Sequence, residues 1–385
     1  MSLAKAAPTL PTCSPSPSVW DVPLSVHLAR LVIIPLVLYV IFLASLTIPV
    51  VQRFMLFLHK AQWPLFAKFD NPEVYGFAPN RVRNLYLRTP DGARIGVWHI
   101  LPESVIERLG ATQQLSDKAF DDALKDPKHC VMTYMHGNAG NRVIGHRKHL
   151  ARHVSSGLLD MNMIVFDYRG FGDSSNLAPS EEGLVIDART VWNWLTEDKA
   201  VPASQIVLSG QSLGTGVACA LAGRDLAAEG ITPRALILTA PFTSIRELLL
   251  DYKLLEIVPI LQPLRYVNPI RDYILGFLST NFDSLSVIQN IRCPILLIHS
   301  INDGGIPIDH SRQLFRQLCS DPSRTGGVEL MTDTLQIGKY AVLKELRDAR
   351  DKLGVQYLEM HFGGHNDVGY SEVALQTMRK LIFDK

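Results

Sequence analysis

The pattern of apolar and polar positions changes character three times along the chain. Residues 1–26 carry Pro8, Pro11, Pro15 and Pro17 among serines without periodicity, and read as a disordered tail. Residues 31–51 contain no charged side chain. At about 1.5 Å of rise per residue such a run is just long enough to cross a hydrocarbon core of about 30 Å, so it predicts a transmembrane helix. A cleaved signal peptide fits less well, because the run begins far from the first residue and exceeds an apolar core of roughly 7 to 15 residues. Pro35 and Pro49 fall towards its ends, where a kink costs least. Residues 54–66 stay mostly apolar around His59 and Lys60, and Trp63 suits a headgroup zone, which predicts an interfacial segment. Anchor and interfacial segment together are placed at residues 27–58.

From about Tyr75 the pattern becomes that of a globular domain, residues 75–385. A first hairpin is predicted by two alternating stretches, residues 82–87 and 93–98, around the turn Pro90-Asp91-Gly92. Short apolar runs follow at residues 131–135, 163–166, 206–208 and 293–299, with an alternating run at 355–360, and helical stretches separate them. That alternation predicts an α/β fold, a mostly parallel sheet with helices on both faces. Between residues 243 and 290 the chain leaves the sheet, the place for a short cap. This excursion is oily, with Leu248, Leu249, Leu250, Ile257, Leu261, Ile274 and Phe277 among its residues. It reads as a packed cap helix or as the lining for an acyl chain, and the two are compatible. Residues 102–129 are polar and carry no motif, while residues 344–350 have a charged, helix-like pattern.

Composition narrows the chemistry. A formal net charge of +1 on 385 residues indicates no polyanionic partner, so nucleic acid is not expected. Five cysteines lack any C-x-x-C spacing, and Cys130, Cys219 and Cys293 fall in apolar elements, so neither a disulfide framework nor a zinc site is expected. His146, His149 and His153 share one helix face, but without a carboxylate ligand they read as a basic, solvated face rather than a metal site. No cofactor is expected.

The chemistry-bearing motif is Gly210-Gln211-Ser212-Leu213-Gly214, between an apolar strand and a small-residue helix start. It reads as a nucleophile elbow, in which a strained turn exposes the serine hydroxyl and glycines avoid collision with neighbouring elements. An elbow serine needs an acid and a base, and in this fold they follow it in the order acid, then histidine. Asp303 lies in the loop after the strand at 293–299, and His365 follows two glycines after the strand at 355–360. His365 is preferred to His361, which still belongs to the strand end. The backbone N–H groups of Asn138, after the strand at 131–135, and of Leu213 are the candidate oxyanion donors. His136 is expected to hold the oxyanion loop in shape rather than to react. Asp167, Arg169 and Asp173, in Asp167-Tyr168-Arg169-Gly170-Phe171-Gly172-Asp173, are expected to brace the surrounding loops.

Together with Ala240-Pro241-Phe242-Thr243, residues 299–303 and His365-Asn366-Asp367-Val368-Gly369-Tyr370, these motifs resemble the α/β-hydrolase domain-containing protein 12 family over residues 80–385. The resemblance implies a membrane-anchored serine lipase acting on monoacylglycerols and lysophospholipids, especially lysophosphatidylserine, with Ser212, Asp303 and His365 at the triad positions. It also implies an endoplasmic-reticulum membrane with a lumenal catalytic domain. Residue charges oppose that side, since Arg53, Lys60 and Lys68 follow the apolar run against Arg30 before it. The resemblance is followed here. An acyl-protein thioesterase would use the same triad, and a non-catalytic membrane-anchored binding protein is the alternative of another class. Lipid and membrane are the expected partners, and a chain starting near Tyr75 is expected to keep activity on soluble short-chain esters.

Overall fold

A computed structural model of the chain describes residues 24–110, 114–251, 253–254, 258–259, 261–321, 333–347 and 353–384. Most of the expected N-terminal tail lies outside the described residues. The apolar run forms α1, Leu24–Ser45, an uninterrupted helix with Pro35 inside it rather than at its end. The stretch Ser25–Ser45 is long and apolar enough to cross a membrane, and hardly any of it is covered by the rest of the protein. After a short turn, Pro49 opens α2, Pro49–Phe57, where its missing N–H costs nothing. Residues 54–66 divide: Phe57 is fully buried in the main core and His59 is buried, whereas Phe54, Met55, Trp63, Leu65 and Phe66 are exposed.

Twelve strands follow. β1, Val82–Arg88, and β2, Arg94–Ile100, form the expected antiparallel hairpin, its turn closed by Thr89 N–H on the Ala93 carbonyl at 2.8 Å. β3 is Val131–Met135, β4 Asn162–Phe166, β5 Ile206–Gln211 and β6 Ala235–Thr239. The two-residue strands β7, Lys253–Leu254, and β8, Val258–Pro259, pair within the cap. β9 is Ile295–Ser300, β10 Asp333–Ile337, β11 Ala341–Arg347 and β12 Leu353–Met360. Ten of them form one sheet in the order β1-β2-β4-β3-β5-β6-β9-β12-β11-β10. The six from β4 to β12 in that order are parallel, with antiparallel strands at both edges. Strands β3, β4, β5, β6 and β9 are buried along their whole length, as continuous apolar runs covered on both faces should be. Two apolar clusters, one containing Phe166, Leu208 and Leu238 and the other Val165, Val207 and Ile237, correspond to the two faces.

The helices after α2 are α3, Glu103–Leu109; α4, Asp117–Lys125; α5, Gly145–Ser155; α6, Glu181–Asn193; and α7, Leu213–Ala220. Then come α8, Ile245–Asp251; α9, Asn268–Gly276; α10, Ser284–Val287; α11, Asp309–Cys319; α12, Gly364–Asp367; and α13, Glu372–Phe383. The motif-free region at 102–129 is thus a pair of short helices. The charged pattern at 344–350 is not helical where it is described: residues 341–347 are β11, paired along their length with β12. Sheet pairing overrides local propensity there: Ala341 and Leu343 pack on one face and Leu346 on the other, while buried Glu345 is held by Gln356 and Lys380. Residues 348–350 lie outside the described residues.

The cap rests on the anchor. Tyr39, Phe42, Leu43 and Leu46 at the end of α1 pack with Leu250, Leu261, Leu264, Ile274 and Leu275 of the cap. Buried Gln52 of α2 adds a polar tie: its amide N–H2 donates to the carbonyls of Leu46 (2.6 Å) and Phe277 (2.8 Å), and its Oε1 accepts from Ser279 N–H (3.2 Å).

Candidate active site

Ser212 stands between the end of β5 and the first turn of α7 at φ 52°, ψ −123°, a backbone conformation that costs a non-glycine residue about 1–3 kcal/mol. Its neighbours explain how the turn is tolerated. A Cβ on Gly210 would come within 2.4 Å of the Gly214 carbonyl oxygen, and one on Gly214 within 1.9 Å of the Met135 carbonyl oxygen. Only glycine fits either place. The Ser212 N–H donates to the Thr239 carbonyl (3.0 Å), and its carbonyl accepts the Thr215 hydroxyl (2.6 Å), so the strained residue is pinned from both sides.

Asp303 follows β9 with a fully buried carboxylate whose four contacts are all donors. Oδ1 accepts the N–H groups of Gly305 (2.8 Å) and Ile306 (2.9 Å), and Oδ2 accepts His365 Nδ1–H (2.8 Å). His299 Nε2 lies 3.2 Å from the same Oδ2 and 2.9 Å from the Ile306 carbonyl; two acceptors on one nitrogen place the proton there. Burial alone would raise the Asp303 carboxyl, but the hydrogen bonds and charge of His299 and His365 outweigh it and hold the group well below the usual carboxylate range. With Nδ1–H fixed on Asp303, the Nε2 lone pair of His365 is left as the basic atom. His361 turns instead to the Lys339 carbonyl, at 2.8 Å.

Three candidates therefore occupy neighbouring loops, with Asp303 and His365 directly bonded. Ser212 and His365 are linked through Gln211 rather than by a hydrogen bond of their own among the described residues. Gln211 Nε2 donates to the carbonyls of His365 (3.1 Å) and Asn366 (3.4 Å), and its Oε1 accepts the Tyr134 hydroxyl. The variable position of the elbow motif thus holds the histidine loop against β3 and β5, a role with no local signature in the sequence.

The oxyanion loop is built from further afield. A Cβ on Gly137 would lie 3.1 Å from Ser212 Cβ, so this loop passes directly beside the serine. Neither the Asn138 nor the Leu213 N–H donates a hydrogen bond among the described residues. The adjacent amides are taken: Ala139 N–H by the Phe57 carbonyl (2.9 Å) and Gly140 N–H by the Ala61 carbonyl (2.7 Å), both from the segment that follows the anchor. On the other side, fully buried Arg147 of α5 donates to the carbonyls of Gly137 (3.1 Å), Asn138 (3.0 Å), Ala139 (2.9 Å) and Asn141 (3.0 Å). Its guanidinium turns four carbonyls towards itself and carries positive charge beside the loop, although burial lowers its pKa. His136 donates Nδ1–H to the Gly137 carbonyl (2.7 Å), and burial, reinforced by Arg147, drives its pKa well below the ordinary value, which keeps the ring neutral.

The histidine face on α5 is solvated only in part. His149 and His153 lie against the Tyr370 ring at centroid distances of 5.8 and 5.7 Å, and partial burial with Arg147 nearby lowers His146 to about 3. The helix packs on the turn after α12, which half-buries His146 and His149 and leaves His153 exposed. The bracing residues form two charge clusters: buried Arg142 bridges Asp167 (2.6 Å) and Asp173 (2.6 Å), and Arg169 bridges Asp91 (2.6 Å) and Asp187 (2.7 Å).

A strand order of this kind with a serine elbow after β5 defines an α/β-hydrolase, and the chain is an ester hydrolase. The α/β-hydrolase fold profile matches residues 131–255, and an α/β hydrolase from Vibrio vulnificus superposes with a TM-score of 0.54 at 17% identity, over 85% of this chain and 88% of that one. Similarity extends further to lysophosphatidylserine lipase ABHD12 of Danio rerio, 33% identical over 72% of this chain and 69% of the relative. The same lipase of Gallus gallus is 34% identical over 75% and 72%. The chain belongs to the ABHD12 family.

Proposed function

We propose that the protein is a membrane-anchored serine lipase that cleaves the acyl ester of a single-chain lipid, a lysophospholipid such as lysophosphatidylserine or a monoacylglycerol, through an acyl-enzyme on Ser212. The observation that carries this reading is the 2.8 Å bond from His365 Nδ1–H to buried Asp303, on loops flanking a serine held at φ 52°. His365 Nε2 takes the Ser212 proton as Oγ attacks the ester carbon. The N–H groups of Asn138 and Leu213 hold the oxyanion, each worth about 3 kcal/mol of transition-state stabilisation. Collapse of the tetrahedral intermediate expels the lipid alcohol, protonated by the His365 imidazolium that Asp303 stabilises, and water then releases the fatty acid by the same steps. Family membership and the substrate named for the relatives support the lipid class. Nothing in the triad distinguishes oxygen from sulfur as leaving group.

We infer further that the anchoring membrane is that of the endoplasmic reticulum, with the catalytic domain lumenal; family membership supports this against the charges after α1. Glycosylation of an acceptor engineered as Ala111→Asn with Gln113→Thr would support the lumenal side, and an unmodified, protease-sensitive chain in sealed microsomes would overturn it. The substrate reading is tested by fatty-acid release from lysophosphatidylserine, monoacylglycerol and an S-acylated peptide, each with Ser212→Ala as control. Release from the two lipids, lost in the variant, is expected. Release from the thioester alone would make the protein a thioesterase.

A further inference from the structure

We propose that the outer face of α9, formed by Ile270, Tyr273 and the C-cap residue Phe277 and extended by Tyr266 of the preceding turn, is a second membrane-embedded surface that seats the cap in the bilayer beside α1. The proposal rests on α1 spanning the membrane, and a length argument carries it from there. The uncharged run begins at Leu31, but the helix ends at Ser45. Even the whole apolar stretch Ser25–Ser45, 21 residues, rises only about 31 Å, barely enough for a hydrocarbon core of about 30 Å. The last two turns of α1 therefore cannot stand clear of the lipid without leaving part of the core unspanned or thinned.

What packs against those turns shares their depth. Tyr39, Phe42 and Leu43 contact the cap cluster containing Leu264, Ile274 and Leu275, so α9 lies against the part of α1 that must remain in the bilayer. With Ile274 and Leu275 turned towards α1, the opposite side of α9 faces away from the protein. There Ile270, Tyr273 and the C-cap residue Phe277 follow one another at helical spacing and are 49%, 67% and 42% exposed, with the Tyr273 and Phe277 rings 5.1 Å apart, and Tyr266, 89% exposed, stands in the 3-10 turn just before the helix. In water this would be an unusual concentration of aromatic surface; at a headgroup boundary tyrosine is the favoured residue. The charges alongside are paired within the cap, Arg271 with Asp272 at 2.9 Å and Arg265 with Asp251 at 2.8 Å, which suits an interfacial rather than a mid-bilayer position. The surface continues onto α2, where Val50 and Phe54 are exposed one turn apart and Gln52 ties the helix to the carbonyl of Phe277.

Seated in this way, the cap brings the catalytic loops to the lipid surface, so a single-chain substrate need not cross water to reach Ser212. The test uses the full chain in phosphatidylcholine vesicles containing one-fifth phosphatidylserine, with Cys13 and Cys319 replaced by serine. A depth-sensitive fluorophore is attached to Tyr273→Cys, to Ile41→Cys in α1, or to Leu109→Cys, which lies beyond β2 at the end of the sheet away from the cap. Quenching by spin-labelled lipid is expected for positions 41 and 273 and not for 109. Quenching at 41 with position 273 behaving like 109 would overturn the proposal and leave the spanning helix standing. Absence of quenching at 41 would remove the spanning helix itself, and the proposal with it. In parallel, Tyr266→Ser/Ile270→Ser/Tyr273→Ser should hydrolyse vesicle-borne lysolipid at least tenfold more slowly while keeping its rate on a soluble short-chain ester. Equal rates on the vesicle substrate would also overturn the proposal.

Discussion

The two sides of the candidate site are constructed differently. On one side, Ser212, Asp303 and His365 sit in loops at the ends of buried parallel strands, each fixed by residues close in sequence or at the ends of other strands of the same sheet. On the other, the oxyanion loop is held by carbonyls of Phe57 and Ala61 from the segment after the anchor and by the Arg147 guanidinium from α5. The first arrangement needs only the sheet. The second also needs the segment after α1, so the candidate site and the N-terminal helices share a structural element.

Removing triad members should have the largest effect. Ser212→Ala and His365→Ala should each lower kcat by about 10⁴- to 10⁶-fold, and the double variant should add little, because nucleophile and base act as a unit. Asp303→Asn should cost about 10⁴-fold by releasing the imidazole tautomer. His361→Ala, bonded only to a backbone carbonyl, should stay near wild type in the same assay of soluble ester hydrolysis. Loss of activity in His361→Ala with retention in His365→Ala would break the comparison on its better-defined side.

A change of starting point probes the other side. A chain beginning at Tyr75 lacks Phe57, which is fully buried in the core, and the two carbonyls that hold Ala139 and Gly140. Loss of a buried phenylalanine costs about 3–5 kcal/mol, before counting the stranded amides. Against the expectation from the sequence, such a chain should therefore unfold at lower temperature and lose most of its activity on soluble esters. A chain beginning at Pro49 retains these contacts and should keep it. Equal activity of the two on a soluble ester would show that the anchor segment and the oxyanion loop are independent.

Arg147 tests the same side without truncation. Arg147→Lys keeps the charge but cannot reach four carbonyls with a planar fork, so kcat should fall about 10²-fold, the scale of losing one oxyanion donor, with KM little changed. An equal loss of thermal stability and activity, with kcat restored at low temperature, would indicate packing alone.

These expectations also mark where the sequence was legible. The elbow was readable because glycines at 210 and 214 answer to local collisions, and Asp303 and His365 because each follows an apolar strand into a glycine-containing loop. The support that His136 gives the loop is legible from its place in the motif, but backbone carbonyls at 57 and 61 leave no trace in residue identity, and nothing local marks Arg147 as the residue that gathers the loop carbonyls. Gln211 occupies a position the motif leaves free. Near the sheet edge, the charged residues of β11 mimic a helix because several of its side chains are only half-buried, and its pairing with β12 and β10 decides the matter.

The smallest expected effect concerns pH and the stability of the triad side. In the unfolded chain the Asp303 carboxyl titrates near about 3.9. In the fold it is held lower by His299 and His365 against the opposing effect of burial. A carboxyl with a depressed folded pKa contributes stability in full above its unfolded value, and that contribution is lost as the pH falls towards the folded value. Asparagine at 303 has no such dependence. The unfolding midpoints of wild type and Asp303→Asn in urea should therefore differ most at about pH 6 and converge as the pH is lowered towards about 3. Equal midpoints at about pH 6 would mean that Asp303 stabilises the loop through the Gly305 and Ile306 N–H bonds, which asparagine's carbonyl can also accept, and not through its charge.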